Sequence, residues 1–187
     1  MEVRRLGVAL LAAGSSKRFG VADKLTAHFQ GRMLAEHAAN AIPVETFEKA
    51  WVVVAALGHP CEPTWRGCGF EPLVNSRASE GMGTSVALAA RAAMGSSLDA
   101  LLIVLADMPY VPLTHFEALI REYNDGNAIA VSEAAGTRMP PAIFAKPHFE
   151  ALAALGGDKG ARTLLAKGKV VACSSEWLRD IDRVEDL

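Results

Sequence analysis

Apolar runs of strand length recur along the chain, at residues 7–11, 50–56, 100–105, 128–132 and 170–172. The segments between them, 33–41, 84–94, 113–122, 148–155 and 161–167, carry apolar residues three and four apart, as a helix packed on one side does. Strands that are apolar without alternation are buried on both faces, and strands that alternate with helices are joined by crossovers. The pattern therefore predicts an α/β fold of three layers, a mostly parallel sheet with helices on both faces. A chain of 187 residues suits one such domain spanning 1–187, and no repeat, low-complexity tract or linker divides it. Thr84 and Ser85 are expected to cap the helix running to Met94. The stretch 58–78, with Pro60, Pro63 and Pro72 among glycines and cysteines, reads as a loop region holding one short strand near 70–74.

A formal charge of -2 offers no long-range attraction to nucleic acid or to an anionic membrane. Arg4 and Arg5 precede an apolar run, but it is short and leads into Lys17, Arg18, Asp23 and Lys24, so it reads as a strand and not as an export signal. No run approaches the ~18 apolar residues of a membrane span. Cys61, Cys68 and Cys173 are odd in number and none forms a C-x-x-C pair, which points to reduced thiols in a cytoplasmic protein. His28, His37, His59, His115 and His148 show no metal spacing and read as scattered surface residues. A G-x-S-x-G nucleophile elbow is absent.

In an open α/β sheet, ligands gather beyond the carboxyl ends of the strands, so the residues after each strand carry the functional information. The first strand ends in Leu11, Ala12, Ala13, Gly14, Ser15 and Ser16. Small residues there leave backbone N–H groups open, and a positive φ at Gly14 would turn them toward one anion. Lys17, Arg18 and Lys24 add the charge that a polyphosphate needs; a solvated charged loop is the plainer alternative. The loop is neither a P-loop nor a dinucleotide fingerprint. Asp107 follows the third strand, where a carboxylate can hold Mg²⁺ beside substrate phosphates or simply cap a turn. Asp180 and Asp182 are further candidates, and Asp182 is preferred as the second ligand. In "NSRASEGMGTSVALAARAA", residues 75–93, Gly81 and Gly83 lead with Thr84 and Ser85 into a helix, presenting N–H groups and hydroxyls to an anion or a ribose.

These stretches together resemble the nucleotidyltransferases of molybdenum cofactor biosynthesis, in particular the cytidylyltransferase group. The matching segments are "LLAAGSSKRFG", "DKL", "EGMGTSVALAA", "LADMPYV", "PPAIFAKPHFEAL", "GGDKGARTLL" and "DIDRVEDL", in that order over nearly the whole chain. The resemblance implies a Rossmann-like nucleotidyltransferase fold and transfer of a nucleoside monophosphate, CMP from CTP, to the phosphate of molybdopterin. It implies nucleotide binding by Leu11, Ala12, Ala13, Gly14, Ser15, Ser16, Lys17, Arg18, Lys24, Asn75, Gly81, Ser85 and Asp107. It also implies catalytic roles for Arg18, Lys24 and Asp107, and Mg²⁺ on Asp107 and Asp182. Ala13 in "LAAG" favours CTP, because guanylyl enzymes tend to carry "LAGG". Asp158, Lys159 and Arg162 would meet the phosphorylated acceptor, with a molybdoenzyme or its chaperone as a further partner. Met139 and Pro140 depart from the group's Gly-His-Pro, which keeps a sugar or polyol phosphate acceptor open, as well as a non-catalytic protein that binds the cofactor.

Overall fold

A computed structural model describes residues 4–14, 23–124, 126, 128–157 and 161–187. In chain order the elements are β1 (Leu6–Leu11), the two-residue strands β2 (His28–Phe29) and β3 (Arg32–Met33), α1 (Leu34–Ala41), β4 (Lys49–Val54), α2 (Glu62–Gly67), β5 (Glu71–Val74) and α3 (Met82–Gly95). There follow β6 (Ala100–Leu105), α4 (Leu113–Asn124), β7 (Ile129–Ala134), β8 (Thr137–Ala145), α5 (Phe149–Ala153), α6 (Arg162–Leu165) and β9 (Lys169–Ala172). Seven strands form one sheet in the order β5-β4-β1-β6-β8-β7-β9, and only β8 runs against its neighbours.

Alternation along the central strands explains why they are apolar throughout. Val8, Leu10, Val52, Leu102 and Val104 point to one face, where they meet Ala35 and Ala38 of α1, Trp65 of α2 and Phe116 and Leu119 of α4. Ala9, Leu11, Trp51, Val53, Leu101 and Ile103 point to the other, against Val86, Ala89 and Ala90 of α3, Phe149 of α5 and Leu165 of α6. The expected three layers are therefore present. From β1 the chain builds outward through β4 and β5, then returns to place β6 on the other flank of β1. The reversal opens a crevice beyond the carboxyl ends of β1 and β6.

Three local expectations are corrected. Residues 62–67 are a helix and not part of a loop, because Pro63 occupies the first turn, where no N–H is needed, and Trp65 is buried. The strand β8 escapes a reading of apolar runs because it contains Pro140 and Pro141. They lie past the last pair with β6, Ile103↔Ala142, and opposite a bulge in β7 between Val131 and Ser132, so no ladder asks for their missing N–H. Helix α3 starts at Met82, with Gly81 as its cap at φ 121, so Thr84 and Ser85 lie inside the first turn and do not cap it.

His115 is also corrected. It is a buried residue of α4, not a surface one, and its Nε2 lies 2.8 Å from Ser132 Oγ, which in turn donates to the Pro141 carbonyl at 2.6 Å. That pair supplies polar partners where the β7–β8 ladder is interrupted. Burial holds the His115 pKa below its ordinary value.

Candidate active site

Asp107 is placed by the strands beneath it. Ala106 donates to the Leu11 carbonyl at 3.1 Å, extending the β1–β6 ladder by one residue, and Met108 on the far side is fully buried. The carboxylate between them therefore stands at the crevice with little freedom. Its Oδ1 is buried and, among the described residues, has no hydrogen-bond partner. Unpartnered buried carboxylate oxygens are costly, so such an atom points to a ligand.

The C-terminal segment supplies two more carboxylates. Ile181 is fully buried against Phe29 and Leu34, and its N–H donates to the Asp107 carbonyl at 3.0 Å. Burying that side chain stabilises the segment by about 2 kcal/mol. With Ile181 held inward, Asp180 and Asp182 are turned toward Asp107, and one oxygen from each of the three lies within 4.8 Å of the others. Asp180 thus converges on the same place as the expected second ligand, Asp182. Partial burial first, and then the charges of Asp182 and Asp107, push the Asp180 pKa up, with Lys24 opposing.

Lys24 enters from a different element. It opens a single 3-10 turn, Lys24–Thr26, capped by Asp23, whose Oδ1 accepts the Leu25 N–H at 3.0 Å. From there Nζ reaches Asp107 Oδ2 at 2.6 Å and Asp182 Oδ1 at 2.8 Å. The Lys24, Asp107 and Asp182 side chains are 12%, 19% and 35% exposed. Burial pulls the Lys24 ammonium down, but Asp107 and Asp182 outweigh it and hold its pKa above the ordinary value. Among the described residues the cluster sets three carboxylates around one ammonium. Converging oxygen donors with one buried oxygen short of a partner fit a hard divalent cation such as Mg²⁺.

The loop after β1 conforms in part. Ala12 and Ala13 are buried and Gly14 is exposed at the mouth of the crevice. Two details of the expected anion nest are corrected. The Ala12 N–H is spent on the Val53 carbonyl at 2.8 Å, because the β1–β4 ladder runs one residue past Leu11, and Gly14 does not adopt the left-handed φ. Among the described residues no atom lies within 4 Å of a Cβ built on Gly14, which leaves that glycine room on the ligand side. Ser15, Ser16, Lys17, Arg18, Asp158 and Lys159 lie outside the described residues.

The segment from Asn75 to Ser85 turns its polar groups inward. Asn75 Nδ2 donates to Thr84 Oγ1 and to Ser85 Oγ, both at 2.9 Å, while its Oδ1 accepts the Arg77 N–H at 3.0 Å; all three of Asn75, Thr84 and Ser85 are buried. The N–H groups expected to be free at this helix start are partly taken, since Gly83 donates to the Gly157 carbonyl at 2.9 Å and Thr84 to that of Gly81 at 3.1 Å. A Cβ on Gly83 would lie 2.8 Å from the Gly157 oxygen, which is why a glycine stands there. This contact brings the two glycine-rich segments, 81–83 and 156–157, together at one place. Arg162 is exposed at the start of α6. Strand β8, antiparallel to β6, carries Met139 and Pro140 at the sheet end where β6 delivers Asp107.

Sequence reasoning missed Asp23 as the cap that presents Lys24 and Ile181 as the anchor that aims two carboxylates. An aspartate directly before a lysine and a buried leucine is a cap pattern, and could have been found; the partner of Ile181 could not.

Comparison with known proteins agrees with this fold. A family model described as the MobA-like NTP transferase domain matches residues 8–172. Purine catabolism protein PucB of Bacillus subtilis (strain 168) is 29% identical over 189 residues, which cover 95% of this chain and 88% of that protein. Nicotine blue oxidoreductase of Paenarthrobacter nicotinovorans is 30% identical over 196 residues, 95% of this chain and 92% of that one. The crystal structure of Rv0371c from Mycobacterium tuberculosis H37Rv in complex with manganese superimposes with a TM-score of 0.63 at 19% identity, covering 98% of this chain and 95% of that one.

Proposed function

This chain belongs to the MobA-like NTP transferase domain family, and from that premise we propose that it transfers CMP from CTP to the phosphate of a molybdopterin-type acceptor, releasing pyrophosphate. The observation that carries the reading is the crevice beyond β1 and β6, where Asp107, Asp180 and Asp182 converge around Lys24 and Asp107 Oδ1 lies buried without a partner among the described residues. Asp107, Asp180 and Asp182 would hold Mg²⁺, which when bound neutralises phosphate oxygens. Manganese in the related Rv0371c structure supports a divalent ion in this fold.

The acceptor chemistry accounts for the residue types present. A phosphate monoester is already ionised, so one of its oxygens can attack the α-phosphorus directly, forming a new P–O–P linkage as the bond to the bridging oxygen breaks and pyrophosphate departs. No side chain has to be alkylated, acylated or phosphorylated, and none has to remove a proton. The protein aligns the two phosphates and neutralises charge. Lys24 is held at the crevice to do the second, and the exposed Gly14 leaves space for the first. Cys61, whose thiol burial pushes up to about 12, is kept out of nucleophilic chemistry. Ala13 and the "LAAG" pattern favour cytosine, and the acceptor is supported by the ordered family segments, "GGDKGARTLL" among them, where Asp158, Lys159 and Arg162 would face it. PucB and nicotine blue oxidoreductase carry names from different chemistries, so neither supplies a substrate.

The test is pyrophosphate release from CTP, GTP, UTP and ATP with Mg²⁺, each paired with molybdopterin and with a panel of sugar and polyol phosphates. CTP with molybdopterin should give the highest rate. A faster reaction with a sugar or polyol phosphate would replace the acceptor, and tight nucleotide binding without release under any pairing would replace catalysis with an accessory role.

A further inference from the structure

We propose that His59 is a positioning residue for Lys24, acting through Asp23; the inference rests on the nucleotidyl-transfer reading for its effect on rate. His59 lies in the loop between β4 and α2, at the sheet end that carries the crevice. Its ring stacks on Trp65, with centroids 4.8 Å apart and planes 25° apart. Trp65 is itself buried and tied down, its indole N–H donating to the Ala35 carbonyl at 3.2 Å. The imidazole therefore rests on a fixed platform, and its side chain is only 13% exposed.

Both ring nitrogens are engaged, and the first determines what the second must be. Nδ1 accepts the backbone N–H of Cys61 at 3.1 Å, so in the neutral ring the proton resides on Nε2. That N–H is then the donor to Asp23 Oδ2 at 2.9 Å. The other oxygen of Asp23 accepts the Leu25 N–H at 3.0 Å, and the Asp23 carbonyl accepts from Thr26 Oγ1 at 2.8 Å. Asp23 is thus oriented from one side by His59 and grips the Lys24–Thr26 turn from the other, while buried Leu25 closes the turn from below. Lys24 leaves this turn to reach Asp107 and Asp182. An exposed His–Asp contact alone would contribute little to stability. A ring stacked on a buried indole, held at both nitrogens and bonded to the residue that precedes the lysine of the crevice, serves to fix direction instead.

The experiment compares His59→Ala, His59→Gln and Asp23→Asn in the wild-type and Lys24→Ala backgrounds, with CTP, Mg²⁺ and molybdopterin as reactants. Asp23→Asn leaves the stacked ring in place yet cannot serve both contacts, since an amide offers one acceptor and one donor to two N–H groups. His59→Ala and Asp23→Asn should each lower kcat/KM for CTP about tenfold, as loss of an orienting outer partner does. His59→Gln, which keeps a donor for Asp23, should recover most of that loss. In the Lys24→Ala background His59→Ala should change the rate less than twofold, because its route is already cut. Equal losses in both backgrounds would assign His59 a purely structural role and overturn the proposal. A crystal structure of His59→Ala decides the matter without any nucleotide. Lys24 Nζ should leave at least one of its two carboxylates, and finding it on both would refute positioning. A wild-type protein that releases no pyrophosphate from any nucleotide would remove the nucleotidyl-transfer reading and leave the structural arm to decide this one.

Discussion

Two polar clusters stand at the same end of the sheet and are completed differently. In the one around Asn75, Thr84 and Ser85, a neutral amide and two hydroxyls satisfy one another and the nearby backbone, and all three residues are buried. In the one around Asp107, Asp180, Asp182 and Lys24, charged groups crowd together, remain partly open to solvent and leave a buried oxygen without a donor among the described residues. Folding alone explains the first cluster, since every atom in it gains a partner. The second is a poor way to stabilise a protein, and its shape is explained by what it can bind.

That contrast can be broken most sharply at Asp107. Asp107→Asn should reduce CTP-dependent pyrophosphate release by about 10³-fold, the scale of losing one preorganised electrostatic contact at a reacting centre. Its thermal midpoint should stay within a few degrees of wild type. Mg²⁺, which should raise the midpoint of the wild-type protein by mass action, should no longer do so in the variant. Retained activity would show that the open cluster is not the reaction centre.

Asn75→Ala is the mirror experiment. It leaves the Arg77 N–H and the buried Ser85 hydroxyl without the partner Asn75 provides, while Thr84 Oγ1 keeps its bonds to the Arg77 and Gly81 carbonyls, so urea denaturation should show a loss of about 2 kcal/mol. Mg²⁺ should still stabilise what remains folded. A variant of unchanged stability but abolished turnover would move Asn75 from scaffold to substrate contact.

The smallest effect belongs to His115. Burial lowers its pKa in the folded protein, so the unfolded chain takes up the proton first as pH falls. Stability from this group is complete above its ordinary value of about 6.5 and declines as pH drops toward the lowered folded value, by at most about 1.4 kcal/mol per pH unit. His115→Gln, which can still reach Ser132 but cannot titrate, should flatten that part of the curve. Urea midpoints for the two proteins at pH 7, 6 and 5 would measure it. Parallel curves would mean that another group carries the pH dependence.

How much of the site could be read in the sequence depended on distance along the chain. Asp107 was legible because it directly follows an unbroken apolar run from Ala100 to Ala106, and a carboxylate at a strand end has few reasons to be there. The inward turn of Asn75 and Ser85 was not legible, because glycine, threonine and serine before a helix look alike whether they face a ligand or one another. Helix α2 and strand β8 were hidden by prolines, whose tolerance depends on whether a neighbouring strand or turn needs the missing N–H. His59 and His115 both looked like stray surface residues; one is stacked on the indole of Trp65 and the other is buried against Ser132, contacts that residue type alone does not announce.

Local physics determined the rest from sequence alone. Runs of apolar residues cannot remain in water, period 2 and period 3.6 segments bury different faces, and their alternation leaves little choice beyond a sheet between helices. That placed any ligand beyond the carboxyl ends of the strands, and the strand order of the folded sheet then set the ends of β1 and β6 side by side. Only the tertiary structure decided what stands in that crevice. Lys24 and Asp182 are 158 residues apart, and they meet because Ile181 is buried at one end of the path and Asp23 caps a turn at the other. Burial and capping set the direction of a side chain, and direction is what a linear pattern does not contain.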